Sequence, residues 1–311
     1  MSADARPTLS IVIPVFNEAQ SLGDLHDRLA KTLKTLQQPH EIIFVDDGSR
    51  DSSATILRAL HAQDSAVRVI RFNRNYGQHA TVCAGMERAR GDIVVTLDAD
   101  LQNPPEEIPR LLAALTEGVD VVGGQRMRRR DSMFRRLASW IVNRVTSAVV
   151  GVPMRDYGCM LRAYRRSVVD QILACDGVAH FIPALANTFA TSVVEVPVGH
   201  GPRQHGGSRY GLFRLLQLNF DLLTGFSLLP IQFVSLIGIL VALGGLGFAV
   251  VLTLQRLIVG ARISGAIVLF AILFVLVGIQ ILALGLIGEY VGRTYQEVRR
   301  RPRFVINEVL E

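Results

Sequence analysis

The chain has 311 residues, room for one large α/β domain and something smaller. With 50% hydrophobic residues, 19% charged and a mean hydropathy of +0.32, it does not read as a wholly soluble domain, and part of it is expected to sit in lipid. A net charge of +6 suits an anionic membrane surface or phosphorylated substrates; few aromatics interleave with the arginines and no zinc-finger or RNA-binding signature appears, which excludes nucleic acid as a partner.

Met1–Thr8 carries no apolar stretch, so no secretory signal is expected. Leu9–Val15 is an apolar, β-branched run followed by a helical pattern through Leu36. Glu41–Val45, Val67–Phe72, Ile93–Leu97 and Val119–Gly123 repeat the strand signature, with helical stretches between them. This alternation predicts an α/β fold with a Rossmann-like, doubly wound, mainly parallel sheet, which places ligands at the carboxyl ends of its strands. Those ends read Pro14-Val-Phe-Asn-Glu18, Asp46-Asp-Gly-Ser49 and Asp98-Ala-Asp100.

Asp46 and Asp47 precede Gly48-Ser49. One carboxylate can accept the N3–H of a uracil while the other orients the loop, although Asp-Gly is also a common turn dipeptide. Asp98 and Asp100 are expected as residues i and i+2 at the end of a strand, facing one cleft, with Gln102 extending the row. Two carboxylates and an amide carbonyl make a hard-oxygen site suited to Mg²⁺ or Mn²⁺, completed by diphosphate and water. The simpler role is capping the helix that Asn103-Pro-Pro-Glu-Glu begins. Arg126, in Gly123-Gly-Gln-Arg126, then Arg128, Arg129 and Arg130, and later Arg203, Ser208, Arg209 and Tyr210, supply groups that match phosphate oxygens. Gly206 and Gly207 suggest a mobile loop there, suited to a lid over the donor. Cys83, Cys159 and Cys175 show no metal- or disulfide-like spacing and fit a reducing compartment.

Met133–Val150 and Tyr210–Leu223 are amphipathic and read as interfacial helices, or as helices packed on the sheet. Leu222–Gln255 and Ile263–Gly288 contain no charged residue, and each exceeds the roughly 20 residues that cross a bilayer core. Five arginines between Arg293 and Arg303 place the segment after the second run in the cytoplasm, so the pair forms a transmembrane hairpin and the N-terminal domain is cytoplasmic as well. The expected organisation is a catalytic domain over 1–209, a juxtamembrane amphipathic helix over 210–228, two transmembrane helices over 229–290 and a cytoplasmic basic tail over 291–311.

The strand-end motifs resemble those of the family 2 glycosyltransferases with the GT-A fold. Longer runs narrow the likeness: Asn73-Arg-Asn-Tyr-Gly-Gln-His79, Leu97-Asp-Ala-Asp-Leu-Gln-Asn-Pro-Pro-Glu-Glu-Ile-Pro-Arg110, Asp156-Tyr-Gly-Cys-Met-Leu-Arg-Ala-Tyr-Arg-Arg166, Phe181-Ile-Pro183 and Ile287-Gly-Glu-Tyr-Val-Gly-Arg293. Together, across Leu9–Arg303, they are similar to the bacterial inner-membrane subgroup that moves 4-deoxy-4-formamido-L-arabinose from UDP to undecaprenyl phosphate, for lipid A modification and polymyxin resistance. The resemblance implies a uridine pocket lined by Pro14, Phe16, Glu18, Asp46, Asp47 and Asp98, and a divalent metal on Asp100 and Gln102. It implies phosphate binding by Arg126, Arg203, Ser208 and Arg209, an acid beside the acceptor phosphate at Asp156, and a homo-tetramer in the bilayer. Asp156, Asp100 and Arg203 would carry catalysis. Arg209 stands where such relatives usually carry lysine, and a planar fork is not a point charge. Transfer of glucose or mannose to the same kind of lipid is the alternative. A lipid phosphate is largely deprotonated at neutral pH, its second pKa lying near about 6. Asp156 is therefore expected to orient the nucleophile or hold Arg203 more than to remove a proton.

Overall fold

The computed structural model describes residues 7–127, 152–175, 181–201, 229–259, 265–298 and 302–311. It divides into two compact units, one of Met1–Leu216 with Arg301–Glu311 and the other of Gln217–Arg300.

The first unit is an eight-stranded sheet. In chain order it comprises β1 (Leu9–Val15), α1 (Leu22–Leu36), β2 (His40–Asp46), α2 (Ser53–Gln63), β3 (Val67–Phe72), α3 (Gln78–Arg88), β4 (Ile93–Thr96), α4 (Ile108–Ala114), β5 (Val121–Arg126), β6 (Arg162–Arg165), α5 (Arg166–Ala174), α6 (Ile182–Phe189), β7 (Val193–Val198) and β8 (Ile306–Leu310). The strand order is β7-β5-β6-β4-β1-β2-β3-β8. β3, β2, β1 and β4 run parallel, as the alternating pattern predicts. β6 is antiparallel to both β4 and β5, β7 runs parallel to β5, and β8 lies antiparallel on β3. Helices cover both faces of β1, which explains why its sequence is a continuous apolar run. Ile11 and Ile13 pack in one cluster with Leu25 and Leu29 of α1, while Val12 joins Val82 and Met86 of α3 in the other.

Two expectations change. β4 stops at Thr96, so Asp98 and Asp100 do not share a strand face. The Leu97 N–H still bonds the Val12 carbonyl at 3.1 Å, but an Asp100 carboxylate oxygen accepts the Gln102 N–H at 3.1 Å and Leu101 turns into the left-handed region at φ 60°. A buried leucine there is a backbone outlier costing of order 1–3 kcal/mol, of the kind that gathers at functional sites. The stretch expected as a basic tail is also divided: up to Val298 it continues a helix, and Ile306–Leu310 is a strand of the first unit. Edge strand β3 leaves a row of unpaired backbone groups, and β8 satisfies them.

The second unit holds α7 (Leu229–Val259) and α8 (Gly265–Val298). Within α8, Val275–Gly292 has a mean hydropathy of 1.8 and is long and apolar enough to cross a membrane; only 6% of it is buried, unlike the core helix of a soluble domain. In α7 the apolar stretch is Ile231–Gly245, shorter than a crossing among the described residues. Phe233, Leu240, Leu269 and Leu284 are exposed, a surface that marks this unit as membrane-associated. The amphipathic segments Met133–Val150 and Tyr210–Leu223 lie outside the described residues.

Candidate active site

The antiparallel placement of β6 brings its leading loop to the same edge as the carboxyl ends of β1, β2, β4 and β5. Pro14 lies near the end of β1 with Phe16 and Glu18 just beyond it, Asp46 ends β2 and Asp47 follows it. Asp98, Asp100 and Gln102 follow β4, Arg126 ends β5 and Asp156 precedes β6. These candidate site residues therefore stand along one edge of the sheet. Arg203, Ser208 and Arg209 lie outside the described residues, as do Arg128, Arg129 and Arg130. The chain leads toward Arg203 from Gly201, whose N–H bonds the Gln102 carbonyl at 2.8 Å.

The β1 and β2 loops are laced together. Asp47 N–H reaches the Val15 carbonyl at 2.8 Å, Asn17 N–H reaches Ser49 Oγ at 3.0 Å, and Arg50 N–H reaches Asn17 Oδ1 at 2.8 Å. Asp46 is fully buried; its carboxylate accepts the Ser49 N–H at 2.9 Å and Arg71 Nε at 3.2 Å. Asp47 grips the loop after β3, accepting Tyr76 N–H at 2.6 Å, Gly77 N–H at 2.9 Å and Asn75 Nδ2 at 2.8 Å. Burial pushes the Asp47 carboxyl above its ordinary pKa, against those two backbone donors, which favour the charged form. Gly48 is required directly after the two acids: at φ +66° a side chain is strained, and a Cβ would stand 2.6 Å from the Arg74 carbonyl carbon. The same loop reaches the next acid, since Gln78 Nε2 donates to Asp98 at 2.6 Å.

Arg126 and Asp156 form a buried, bidentate pair. Arg126 Nε meets Asp156 Oδ2 at 2.7 Å and Nη2 meets Oδ1 at 2.7 Å, with side chains only 15% and 6% exposed. Burial works to lower the Arg126 pKa, but the Asp156 hydrogen bonds and charge outweigh it and hold the guanidinium above its ordinary value. The peptide around Asp156 is fixed from both directions. Glu195 on β7 accepts its N–H at 2.9 Å and that of Arg155 at 2.8 Å. Arg162, wholly buried, donates to the carbonyls of Asp156 at 3.2 Å, Tyr157 at 3.3 Å and Cys159 at 2.9 Å. Cys159 sits in this loop, and burial lifts its thiol to about 11, so it is no nucleophile. The close approach of this loop to β5 needs Gly124, where a Cβ would lie 3.0 Å from the Leu161 carbonyl oxygen.

Sequence reasoning missed Glu195, Arg162, Gln78 and Arg71 as supports of the site. Arg162 lies inside a quoted motif, and its signal was an arginine in a strand with nowhere polar to point. Glu195 interrupts an apolar run, Val193-Val-Glu-Val-Pro-Val198, which was its only mark.

Residues 10–173 match the model of glycosyl transferase family 2. The undecaprenyl-phosphate 4-deoxy-4-formamido-L-arabinose transferase of Aeromonas hydrophila is 49% identical over 97% of this chain and 94% of its own length. The protein of the same name from Proteus mirabilis is 50% identical over the same shares, and that of Pseudomonas fluorescens is 52% identical over 97% and 90%. Among solved structures, glucosyl-3-phosphoglycerate synthase from Mycobacterium tuberculosis in complex with Mn²⁺ and UDP-glucose superposes with a TM-score of 0.52 at 20% identity, covering 70% of this chain and 77% of that one. A further mycobacterial protein gives 0.52 at 21% identity over 70% and 73%. At that identity the structures bear on the fold, whereas the family model and the curated relatives bear on the chain itself. It belongs to glycosyl transferase family 2 and is a glycosyltransferase built on the GT-A fold.

Proposed function

We propose that the chain transfers 4-deoxy-4-formamido-L-arabinose from UDP to undecaprenyl phosphate at the cytoplasmic face of a bacterial inner membrane. The observation that carries this is a likeness of 49–52% to proteins of that name that runs through the sheet and both helices alike, over 97% of the chain. Pro14, Phe16, Glu18, Asp46, Asp47 and Asp98 would line the uridine pocket, Asp47 by shaping the 73–77 loop. Arg126, Arg203, Ser208 and Arg209 would meet phosphate oxygens. Two crossings by α7 and α8 and a homo-tetrameric assembly complete the proposal; its support is the two charge-free runs and the family resemblance.

Asp100 and Gln102 offer hard oxygen donors on one short turn, which fits Mg²⁺ or Mn²⁺. Among the described residues no three His, Cys, Asp or Glu side chains gather, so the remaining ligands would be diphosphate and water oxygens. A divalent ion bound there would draw off charge from the departing diphosphate. A phosphate oxygen of the lipid attacks the anomeric carbon from the side opposite UDP; the new C–O bond forms as the old one breaks, and its electron pair leaves with UDP. The configuration inverts. The attacking oxygen is already largely anionic at neutral pH, its second pKa being near about 6, so proton removal contributes little. The Asp156 carboxylate is committed to Arg126 by two short hydrogen bonds, which suits orienting that guanidinium toward phosphate rather than serving as a base.

The test is a panel of UDP- and GDP-sugars offered to the purified protein with undecaprenyl phosphate, the lipid product being weighed by mass spectrometry. Formamido-arabinosyl lipid is expected. Product from UDP-glucose or GDP-mannose alone would overturn the sugar assignment.

A further inference from the structure

The segment after α8 reaches further into the first unit than covering a sheet edge requires. β8 pairs with β3 through Val69↔Leu310, Ile70↔Val309 and Arg71↔Glu308, and the register then shifts before Phe72↔Ile306. Beyond the ladder, Asn73 N–H bonds the Val305 carbonyl at 3.2 Å. Phe304 stacks on Phe72 with ring centroids 4.9 Å apart and planes 12° from parallel, and Phe72 in turn meets Tyr76 edge-on at 5.6 Å. Arg74 lies over the Tyr76 ring at 4.9 Å, and the Tyr76 hydroxyl donates to Asn73 Oδ1 at 3.0 Å. Tyr76 and Gly77 are the backbone donors that Asp47 holds.

A second line of contact runs to the other acid. Glu308 stands opposite Arg71, lowers its own pKa chiefly through Arg58, which it binds bidentately at 3.0 and 2.6 Å, and feels the Arg71 charge as well. Arg71 turns its Nε to the buried Asp46. The segment is fastened at its two ends: Glu311 pairs with Arg68 at 2.5 Å, and Arg303 donates to the Cys175 carbonyl.

We propose that residues 303–308 are positioning residues of the donor-nucleotide site, bracing the 73–77 loop through Phe304 and Arg71 through Glu308. The proposal rests on the reading of Asp46 and Asp47 as uridine-pocket acids. An edge strand alone would need only the β3–β8 ladder; Phe304 lies past the ladder, and the aromatic run it starts ends on the loop that Asp47 organises. Loss of the stack frees Tyr76 to move, and the carboxylate then loses the fixed donors that set its direction.

The experiment is calorimetric titration of UDP with Mn²⁺ into the full chain in detergent, for the unmutated protein, Phe304→Ala and Phe304→Tyr. Steady-state kinetics in both substrates accompany it. Phe304→Ala is expected to weaken UDP binding and raise the donor KM by about threefold to tenfold, the scale of one aromatic pair. The kcat and the lipid-acceptor KM stay put, and Phe304→Tyr retains tight binding. Equal UDP affinity in Phe304→Ala and the parent overturns the proposal, as does a fall in kcat at unchanged donor KM. If Phe304→Ala does not fold, Glu308→Gln leaves the packing intact and must shift UDP affinity in the same direction; no shift overturns it. UDP carries no sugar, so an error in the sugar leaves this measurement readable, whereas failure of the unmutated chain to bind UDP overturns the donor site and the brace together.

Discussion

Consider Asp156→Ala. The change removes a carboxylate that takes two hydrogen bonds from the Arg126 side chain and a third from its backbone N–H at 3.2 Å. In the intact pair the Arg126 side chain is only 15% exposed, so losing the carboxylate leaves an enclosed charge with two unmatched donors. Breaking one side of a buried pair typically costs about 3–5 kcal/mol, whereas exchanging both partners for apolar groups of similar size is often near neutral. For a unit of roughly 200 residues each kcal/mol moves the melting midpoint by about 2–4 °C, so the single variant should melt roughly 6–20 °C lower. Arg126→Met with Asp156→Leu should recover most of that loss while staying inactive. The assay is thermal melting of the detergent-solubilised protein followed by intrinsic fluorescence. A single variant within about 1 kcal/mol of the parent, or a double variant that merely adds two losses, would refute the picture of one electrostatic unit. Activity gives a second reading: Asp156→Asn should stay impaired at both pH 6 and pH 9, and recovery at pH 9 would show a proton-removing role.

Gly48→Ala combines a left-handed backbone with a Cβ 2.6 Å from Arg74, neither of which a flexible side chain can relieve. It should lower stability by more than about 1 kcal/mol and weaken UDP binding, both read in one titrated melt. Asp100→Ala should abolish turnover while leaving the melting midpoint nearly unchanged, and EDTA should silence the unmutated protein; full activity in EDTA removes the metal from the mechanism. Acid should loosen β8 early. Glu308 and Glu311 are held below the ordinary carboxylate value of 4.5 by Arg58 and Arg68, so their contribution is complete above that value and is lost as pH falls through their lower folded values. Hydrogen exchange at Asn73, whose N–H bonds the Val305 carbonyl, should rise below about pH 4.5, and by less in high salt, which already screens these exposed pairs at neutral pH.

The parallel core was legible because buried parallel strands are continuous apolar runs: Leu9–Val15 and His40–Asp46 fall within a residue or so of their expected limits. Arg162–Arg165 was not. Its four residues include three arginines or tyrosines, and only burial among the carbonyls of its own preceding loop lets it occupy the centre of a sheet. β8 was hidden for another reason: its partner lies about 240 residues earlier, and in sequence its acids look like a solvated tail. At the site, the strand-end acids declared themselves through turn chemistry. The Arg126–Asp156 pair did not, because 30 residues separate its members and neither has a local signal for the other. The strand-face argument for Asp98 and Asp100 failed where a side chain folded back on its own backbone, through the Asp100–Gln102 turn.

The position of β8 also orders events in time. Val69 cannot meet Leu310 until α7 and α8, which lie between them in the chain, have left the ribosome. At roughly 5–20 residues per second the wait is on the order of 12–48 s. During that interval the edge of β3 stays open, and the 73–77 loop lacks Phe304. The apolar helices α7 and α8 therefore emerge before the 73–77 loop gains its contact with Phe304. The first unit thus cannot be completed until the whole of the second unit has been synthesised.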